Sequence, residues 1–581
     1  MDGVRAGREP EWLPLGGGAV AGGWIELRYA ASFLAPPVRP VLRVRRAGTD
    51  DERIVLPAPV AGCGIWRGHV PKGASLAIDP GPGVPPEGFR VEAVAALTLG
   101  TRLALGLRTP AAVALGLAHR LAGRRESARR RLAPVLNEAP LEDYEGWRAA
   151  RRRAPEPEGL DRLAPGLADG PPIVFRGAAP DDPAWGATHE SLARQSSSAW
   201  RFGPEHVAGA LATVELEPGD TLAPEAVAAL VAACAAEPRP RLVAFDADEP
   251  APGGGRRPLF AWPCAPGHWP HRALAGGPGP DAYLPRVLLH RARPLAARPP
   301  AAAPAAPEVW PAVDIVIPTR NRADLLDRCL ASVLERTAYE RLKVIVADND
   351  SDEPAARQAL ARAARDPRVA VTPAPGPFNY AAICNRAAAL GSGEVIVFLN
   401  NDVETLTPDW LTVLVREAMS PGTGAVGAKL LYPDDGVQHA GVVLGLNGAA
   451  GHLYRGAPAE ARGLGDALLR RRAVAAVTGA CLAVRRSLLE AAGGFDADAF
   501  AVEFNDIDLC LRLAAAGHGA VWTPDALLSH RESASRGRPG PGGGRHGDQR
   551  ARFLARWGDF AVNDPFFHPA FSLACEAPRL A

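Results

Sequence analysis

Hydrophobic and polar positions change their rhythm several times along the chain. From Gly23 to about Leu97, short runs alternate at period two between Pro and Gly turns. Examples are Trp24-Ile-Glu-Leu-Arg-Tyr, Pro40-Val-Leu-Arg-Val-Arg, Arg53-Ile-Val-Leu and Phe89-Arg-Val-Glu-Ala-Val. That pattern predicts half-buried strands and a small all-β sandwich over 23–100, after a Gly-rich, mobile start at 1–22. Residues 110–153 carry Ala, Leu and Arg at helical spacing, which predicts a helical connector over 101–170. In 171–295, apolar strands (Pro172-Ile-Val-Phe, Arg241-Leu-Val-Ala-Phe) flank an Ala-rich helical run at 224–236, a mixed α/β pattern. Residues 296–311 are almost entirely Ala and Pro, cannot bury a core, and read as a linker.

Beyond the linker, fully apolar strands alternate with helices. Val313-Asp-Ile-Val-Ile is a strand stopped at Pro318. Residues 323–336 place Leu325, Leu326, Cys329, Leu330, Val333 and Leu334 at helical period. A strand at 343–347, a helix at 354–365, a short strand at 369–371, a helix at 379–390 and a strand at 394–399 follow. Such alternation predicts parallel strands buried on both faces. In sheets of this kind ligands bind beyond the carboxyl ends of the strands.

Length and composition narrow the picture. A chain of 581 residues needs several cores. Lys+Arg 65 against Asp+Glu 64 gives a net charge of +1, which argues against a nucleic-acid partner or a strongly electrostatic membrane binder. The eight cysteines include no C-x-x-C pair and sit mostly in apolar runs, as buried reduced thiols of a cytoplasmic protein do. The first ten residues hold no apolar signal segment, and the most apolar window, 103–122, is broken by Arg108 and Pro110. A peripheral contact with the inner face of a membrane through 111–132 stays open.

The chemistry gathers at strand ends. Strand 343–347 runs into Asp348-Asn349-Asp350-Ser351-Asp352, and strand 394–399 into Asn400-Asn401-Asp402. Asn and Asp also favour plain turns, but two such clusters on successive parallel strands would converge on one crevice. There the first offers hydrogen-bonding groups to a base and ribose. The second offers a single carboxylate, Asp402, to a Mg2+ or Mn2+ ion that neutralises a diphosphate. No G-x-x-x-x-G-K is present, which excludes a P-loop site. Gly422-Thr-Gly424-Ala-Val-Gly427 matches G-x-G-x-x-G in letters only, because it follows a helix and precedes a strand. Farther on, Asn505 or Asp506 starts a helix, where capping is the competing explanation. His530 is a lone histidine that becomes a plausible ligand beside an acidic, metal-bearing crevice.

Taken in order, these segments resemble one known family. The opening Asp-Ile-Val-Ile-Pro-Thr-Arg-Asn-Arg, the Asp-Asn-x-Ser turn, Pro-Phe-Asn-Tyr at 377–380 and Leu-Asn-Asn-Asp-Val-Glu belong to the match. So do Val-Gln-His-Ala-Gly at 437–441, Gly-Gly-Phe-Asp, Phe-Asn-Asp-Ile-Asp-Leu-Cys-Leu-Arg-Leu and His-Arg-Glu-Ser-Ala-Ser-Arg-Gly. Together they are similar to family 2 glycosyltransferases, in particular the bacterial rhamnosyltransferase-like and O-antigen polysaccharide subgroup. The resemblance implies an α/β GT-A domain with a Rossmann-like, mostly parallel sheet over 312–540, and leaves 541–581 as a tail. It implies an inverting transfer from a nucleotide-sugar donor to a saccharide or lipid-linked acceptor in cell-surface polysaccharide synthesis. The donor is expected on Pro318, Thr319, Arg320, Asp348, Asn349, Asp350, Asn379, Asn401 and Asp402. A divalent cation is expected on Asp402 and His530, with Asn400 standing where a first metal-facing Asp is usual.

Asp506 matches the base of the family's Glu-Asp motif. Asn505 replaces the Glu, which leaves Asp506 versus Asp508 open beyond the analogy. Residues 171–295 resemble a degenerate copy of the same domain, through Glu190-Ser-Leu-Ala-Arg-Gln-Ser-Ser-Ser-Ala-Trp, Gly219-Asp-Thr-Leu-Ala-Pro and Val243-Ala-Phe-Asp-Ala-Asp-Glu, and are expected to be noncatalytic. The rival readings are a noncatalytic carbohydrate-binding or scaffolding protein and a sugar nucleotidyltransferase. The joint presence of Asp402, Asp506 and His530 speaks against the first, and a Gly-free Pro318-Thr-Arg-Asn-Arg loop against the second.

Overall fold

The computed structural model describes residues 10–15, 22–32, 35, 38–46, 48, 51–106, 110–123, 135–151, 171–177, 182–205, 207–235, 240, 243–260, 282–294, 303–531 and 547–581. Most of the start expected to be mobile (1–9 and 16–21), parts of the expected helical connector (107–109, 124–134 and 152–170) and the first part of the Ala/Pro linker lie outside the described residues.

Near the N-terminus two antiparallel sheets face each other. One runs in the order Leu13–Pro14, Ser75–Asp79, Val41–Arg45, Glu52–Val55, the other Gly64–Val70, Gly23–Ala31, Phe89–Ala96. Leu27, Tyr29, Leu42, Val44, Trp66 and Ile78 fill the space between them, as the period-two pattern requires. The next part is mixed α/β. A parallel three-stranded sheet (Ile173–Arg176, Trp200–Gly203, Ala212–Glu215) and a four-stranded sheet enclose the fully buried helix Ala226–Cys234.

The largest sheet has ten strands. Its elements, in chain order, are β1 Val313–Thr319, α1 Ala323–Arg336, β2 Leu342–Asp348, α2 Pro354–Ala363, β3 Val369–Pro373, α3 Tyr380–Ala388, β4 Val395–Leu399, β5 Val403–Thr405, α4 Trp410–Ala418 and β6 Thr423–Leu431. There follow β7 Val437–His439, β8 Val442–Leu444, β9 Ala450–His452, β10 Arg472–Val474, β11 Cys481–Arg485, α5 Arg486–Ala491, α6 Asn505–Ala515, β12 Gly519–His530 and α7 Gly547–Trp557. The order across the sheet is β3-β2-β1-β4-β11-β6-β12-β5, with β7 beside β6 and β10 beside β12, while β8 and β9 form a separate two-stranded sheet.

β1, β2, β3 and β4 are mutually parallel. β11 runs against both β4 and β6, so β6 and its parallel neighbour β12 point the same way as β1 to β4. The carboxyl ends of β1, β2, β4, β6 and β12 therefore share one edge, where β11 begins. Every residue of β1 is buried. Val313, Ile315 and Ile317 meet α1, α2 and α4, while Val316 packs on the opposite face, which is why the sequence shows an unbroken apolar run.

Residues 547–581, assigned to a tail from sequence, are packed. Phe553, Trp557, Phe566, Phe567, Phe571 and Leu580 are buried in the same core as α6. The segment also reaches the other parts of the chain. Arg39 donates to the carbonyl of Phe571 at 3.0 Å, and its N–H to Asn563 Oδ1 at 2.8 Å. Ser572 donates to Glu138 at 2.6 Å, and Trp147 donates to the backbone oxygen of Ala581 at 2.6 Å.

Candidate active site

The β1–α1 turn and the β2–α2 turn are stitched together. Thr319 O accepts from Asn349 N at 2.8 Å, and Asn321 N donates to Ser351 Oγ at 2.8 Å. The Asn321 amide donates to Asp352 at 2.8 Å and accepts from the N–H groups of Asp352 and Glu353. Asn321, Arg322 and Asp350 all have left-handed backbone, with φ of 54°, 52° and 57°. Such conformations cost about 1–3 kcal/mol each at non-glycine residues and persist where neighbours fix them.

The candidate donor residues separate into two kinds. Pro318 and Thr319 end β1, Arg320 is exposed beside them, and Asn401 donates to Thr319 Oγ1 at 2.9 Å. The β1 end is thereby tied to the β4 end, and Thr319 O, which accepts from Asn349 N, joins it to the β2 end that carries Asp348. Asp348 is half-buried and accepts from Ser351 N at 3.1 Å. Asp350 accepts from Gly376 N at 2.8 Å. Asn349, by contrast, is buried, and its amide N–H groups go to the carbonyls of Ala374 and Gly376 at 2.8 and 2.9 Å. Its Oδ1 is buried without a partner among the described residues. Asn379 caps α3, accepting from Ala382 N at 2.9 Å and donating to Ala497 O at 3.1 Å. Both amides hold the walls of the crevice together.

At the other side of that edge, Val403 is the register partner of His530, so the β5–β12 pairing sets Asp402 beside the end of β12. His530 Nε2 lies 3.2 Å from Asp402 Oδ1 and 3.5 Å from the Asn400 amide nitrogen. Both Asp402 and His530 are buried, and His530 Nδ1 has no partner among the described residues. No group of three or more His, Cys, Asp or Glu side chains suited to a metal ion occurs among the described residues. Among the described residues at this edge, Asp402 and His530 form a carboxylate–imidazole pair.

Asp506 arrives from a distant part of the chain. Asn400 N donates to Ala480 O at 3.0 Å, and Gly479 N, one residue earlier in that loop, donates to Asp506 Oδ2 at 2.7 Å. These two bonds bring the start of α6 against the end of β4. Ile507 N donates to Asp506 Oδ1 at 2.9 Å. Burial pushes the Asp506 carboxyl above its ordinary pKa, and the bonds from Gly479, Ile507 and Thr478 moderate the rise. Asp508 is different. It is fully buried and accepts from Arg512 at 2.7 Å, Arg556 at 2.9 Å and Trp557 at 3.1 Å.

Several neighbours received no role from sequence. Tyr380 donates to Gly479 O at 2.9 Å and so props the loop that holds Asp506. His439, at the end of β7, lies with its Nδ1 2.8 Å from His452 Nδ1. Burial, then the charges of His452, Arg472 and His530, hold its pKa well below the usual histidine range. Both Tyr380 and His439 sit inside segments of the family resemblance, which was the available signal. The backbone N–H of Gly479 leaves no such trace.

The acidic strand of the middle part, Val243–Pro250, has its carboxylates occupied. Asp246 accepts from Tyr283 at 2.7 Å and lies 3.3 Å from His568. Asp248 meets His290, Arg148 and Arg256, and Glu249 meets Arg257.

A sequence profile described as Glycosyl transferase family 2 matches residues 314–492, which takes in both strand-end clusters but not Asp506 or His530. "Uncharacterized protein y4gI" of Sinorhizobium fredii is 43% identical over 277 residues, covering 46% of this chain and 30% of that one. "O-antigen biosynthesis protein RfbC" of Myxococcus xanthus is 43% identical over 228 residues, 39% of this chain and 18% of that one. The chain thus spans less than a third of either relative. "N-acetylglucosaminyl-diphospho-decaprenol L-rhamnosyltransferase" of Mycobacterium tuberculosis is 29% identical over 243 residues, 39% of this chain and 77% of that one. Residues 314–492 are thus similar to the family 2 glycosyltransferases, as the profile and these relatives agree.

Proposed function

We propose that the chain is an inverting glycosyltransferase that moves a sugar from a nucleotide-diphosphate-sugar to a saccharide or lipid-linked hydroxyl in cell-surface polysaccharide synthesis. One observation carries the reading. The Asp402–His530 pair and the Asp506 carboxylate meet at one sheet edge, linked through Asn400 and the Gly479–Ala480 backbone. The names of the myxobacterial and mycobacterial relatives support an acceptor and pathway of this class.

Asp348, at the end of β2, and Thr319, at the end of β1, would take the nucleoside. Asp402 and His530 would hold a divalent cation, Mg2+ or Mn2+, whose charge stabilises the leaving diphosphate. A hard cation commonly keeps waters and borrows phosphate oxygens, so a two-residue donor set suits it. Asp506 takes the proton of the acceptor hydroxyl as that oxygen forms its bond to the anomeric carbon. The bond from that carbon to the diphosphate breaks on the opposite side and the electron pair leaves with it. A carboxyl whose pKa is raised by burial is a better proton acceptor than a solvated one.

The middle part, 171–295, is noncatalytic in this reading, because Asp246, Asp248 and Glu249 are already paired within the chain. Transfer takes place in the cytoplasm, with any membrane association peripheral. Among the described residues no helix is long and apolar enough to cross a membrane. A thermal-shift and hydrolysis screen of nucleotide-sugars with Mn2+ and with Mg2+ tests the proposal. At least one donor should stabilise the protein only when a metal is present. A screen in which no donor does so would overturn it.

A further inference from the structure

Helix α7 lies beside the loop that leads into α6, and it touches that loop with one face. Gln549, Arg552, Phe553, Arg556 and Trp557 are spaced i, i+3, i+4, i+7 and i+8, which puts them on one side of a helix. Each meets the segment 496–508. Gln549 is buried, and its Oε1 accepts from both Val502 N at 3.1 Å and Glu503 N at 3.0 Å. Arg552 donates to the carbonyls of Asp498 and Ala499 at 3.2 and 3.3 Å. Phe553 stacks on Phe504 with ring centroids 4.7 Å apart and planes 20° from parallel. Arg556 pairs with Asp496 at 2.8 Å and, with Trp557, reaches Asp508.

The residue so held is unusual. Phe504 has φ of 65°, left-handed backbone at an aromatic residue, and it caps α6 without a side-chain hydrogen bond. A bulky side chain adopts that conformation only where its surroundings enforce it. On the N-terminal side, the N–H groups of Val502 and Glu503 are fixed by Gln549. From above, the Phe504 ring is fixed by Phe553. On the C-terminal side, Phe504 O accepts from Asp508 N at 2.8 Å. Two residues after this turn comes Asp506.

We infer that α7 is a positioning element for sugar transfer, in which Gln549 and Phe553 hold the left-handed turn at Phe504 and thereby aim the Asp506 carboxylate. The inference rests on Asp506 being the base. Gln549 and Phe553 touch no reacting atom. They act through the turn, and a small displacement of a catalytic group by a remote change costs up to about a hundredfold in rate.

The test compares Gln549→Met, which keeps length and volume but removes the oxygen, with Gln549→Glu, which keeps an oxygen able to accept both N–H groups. Turnover and donor KM are measured on the full chain across pH, beside Asp506→Asn and with melting curves for all variants. Gln549→Met should lower kcat about 10- to 100-fold with donor KM nearly unchanged, and should shift the acid limb of the pH profile of kcat. Gln549→Glu should restore most of the rate. Full kcat in Gln549→Met, or a loss that Gln549→Glu does not repair, overturns the inference. Should Gln549→Met not fold, Phe553→Leu gives the same comparison, and an unshifted pH profile there has the same force. If Asp506→Asn is itself active, the base assignment and this inference both fall. If Asp506→Asn is dead while Gln549→Met is fully active, only the inference falls.

Discussion

Replacing Asp506 and Asp508 one at a time by asparagine separates chemistry from packing, two residues apart on one helix. Asp506→Asn keeps the size of the side chain, and its oxygen still accepts one of the bonds from Gly479 N and Ile507 N, at 2.7 and 2.9 Å. It cannot take a proton. General-base catalysis contributes about 10²–10⁴-fold, so kcat should fall by roughly that factor while donor affinity holds. Asp508→Asn breaks something else. Its carboxylate is fully buried between two guanidinium groups and an indole. Removing one partner from a buried ion pair costs about 3–5 kcal/mol. Arg512 and Arg556 are a quarter and a third exposed, and asparagine still accepts one bond, so roughly 2–3 kcal/mol is the better expectation here. For a domain of this size each kcal/mol moves the melting point about 2–4 °C, giving a fall of about 4–12 °C. The assay is steady-state transfer normalised to folded protein, with calorimetric melting of each variant. An inactive but fully stable Asp508→Asn, or an active Asp506→Asn, refutes the assignment.

Other outcomes follow from the same geometry. Asp402→Ala should abolish metal-dependent binding of a nucleoside diphosphate by calorimetry, and unchanged metal-dependent affinity would refute the assignment of Asp402 to the metal. Because burial raises the Asp506 pKa, the acid limb of kcat against pH should lie above the ordinary carboxylate range near 4, and its disappearance in Asp506→Asn identifies the group. Asp564 is pushed up to about 6 by burial, eased by bonds from Leu444 N and Phe566 N. The folded state therefore binds its proton more tightly than the unfolded state, and this residue's contribution to stability grows as pH falls from about 7 towards 4. The melting point of the wild type relative to Asp564→Asn should rise over that window, and a flat difference would contradict the buried position.

The strand-end clusters are legible in sequence because a parallel strand buried on both faces reads as an unbroken apolar run, and its polar exit stands out. Asp348 and Asp402 stand at such exits, the first at the end of β2 and the second just after β4. Asn349 and Asn379 are harder to read, for a simple reason. The amide that suits a nucleobase equally suits backbone carbonyls and a helix start, and the fold uses both for the latter. The joining of Asp506 to β4 runs through backbone groups of Asn400, Gly479 and Ala480, which no side-chain pattern encodes. α7 is hidden differently. Its contacting face holds Gln549, Arg552 and Arg556 beside two aromatics, so no apolar stripe announces it, and the Gly- and Arg-rich run before it suggests a tail.

Arg39 and Phe571 meet across a separation of 532 residues, and Arg39 and Asn563 across 524. Chains are made from the N-terminus at about 5–20 residues per second, so Arg39 waits roughly 25–100 s on the ribosome before its partners exist. Throughout that interval the partners at 562–571 are missing, and the core shared by α6, α7 and the aromatic residues after it stays open. The β-sandwich can close early on local pairings, whereas the turn before Asp506 is completed only when α7 emerges. Synthesis time thus imposes an order on maturation: the contacts of α7 with the turn before α6 form only after β1 to β4 have been made. A nascent chain stalled before residue 547 is expected to be the species most exposed to aggregation, with the apolar flank that Phe553, Trp557 and Phe571 cover left open.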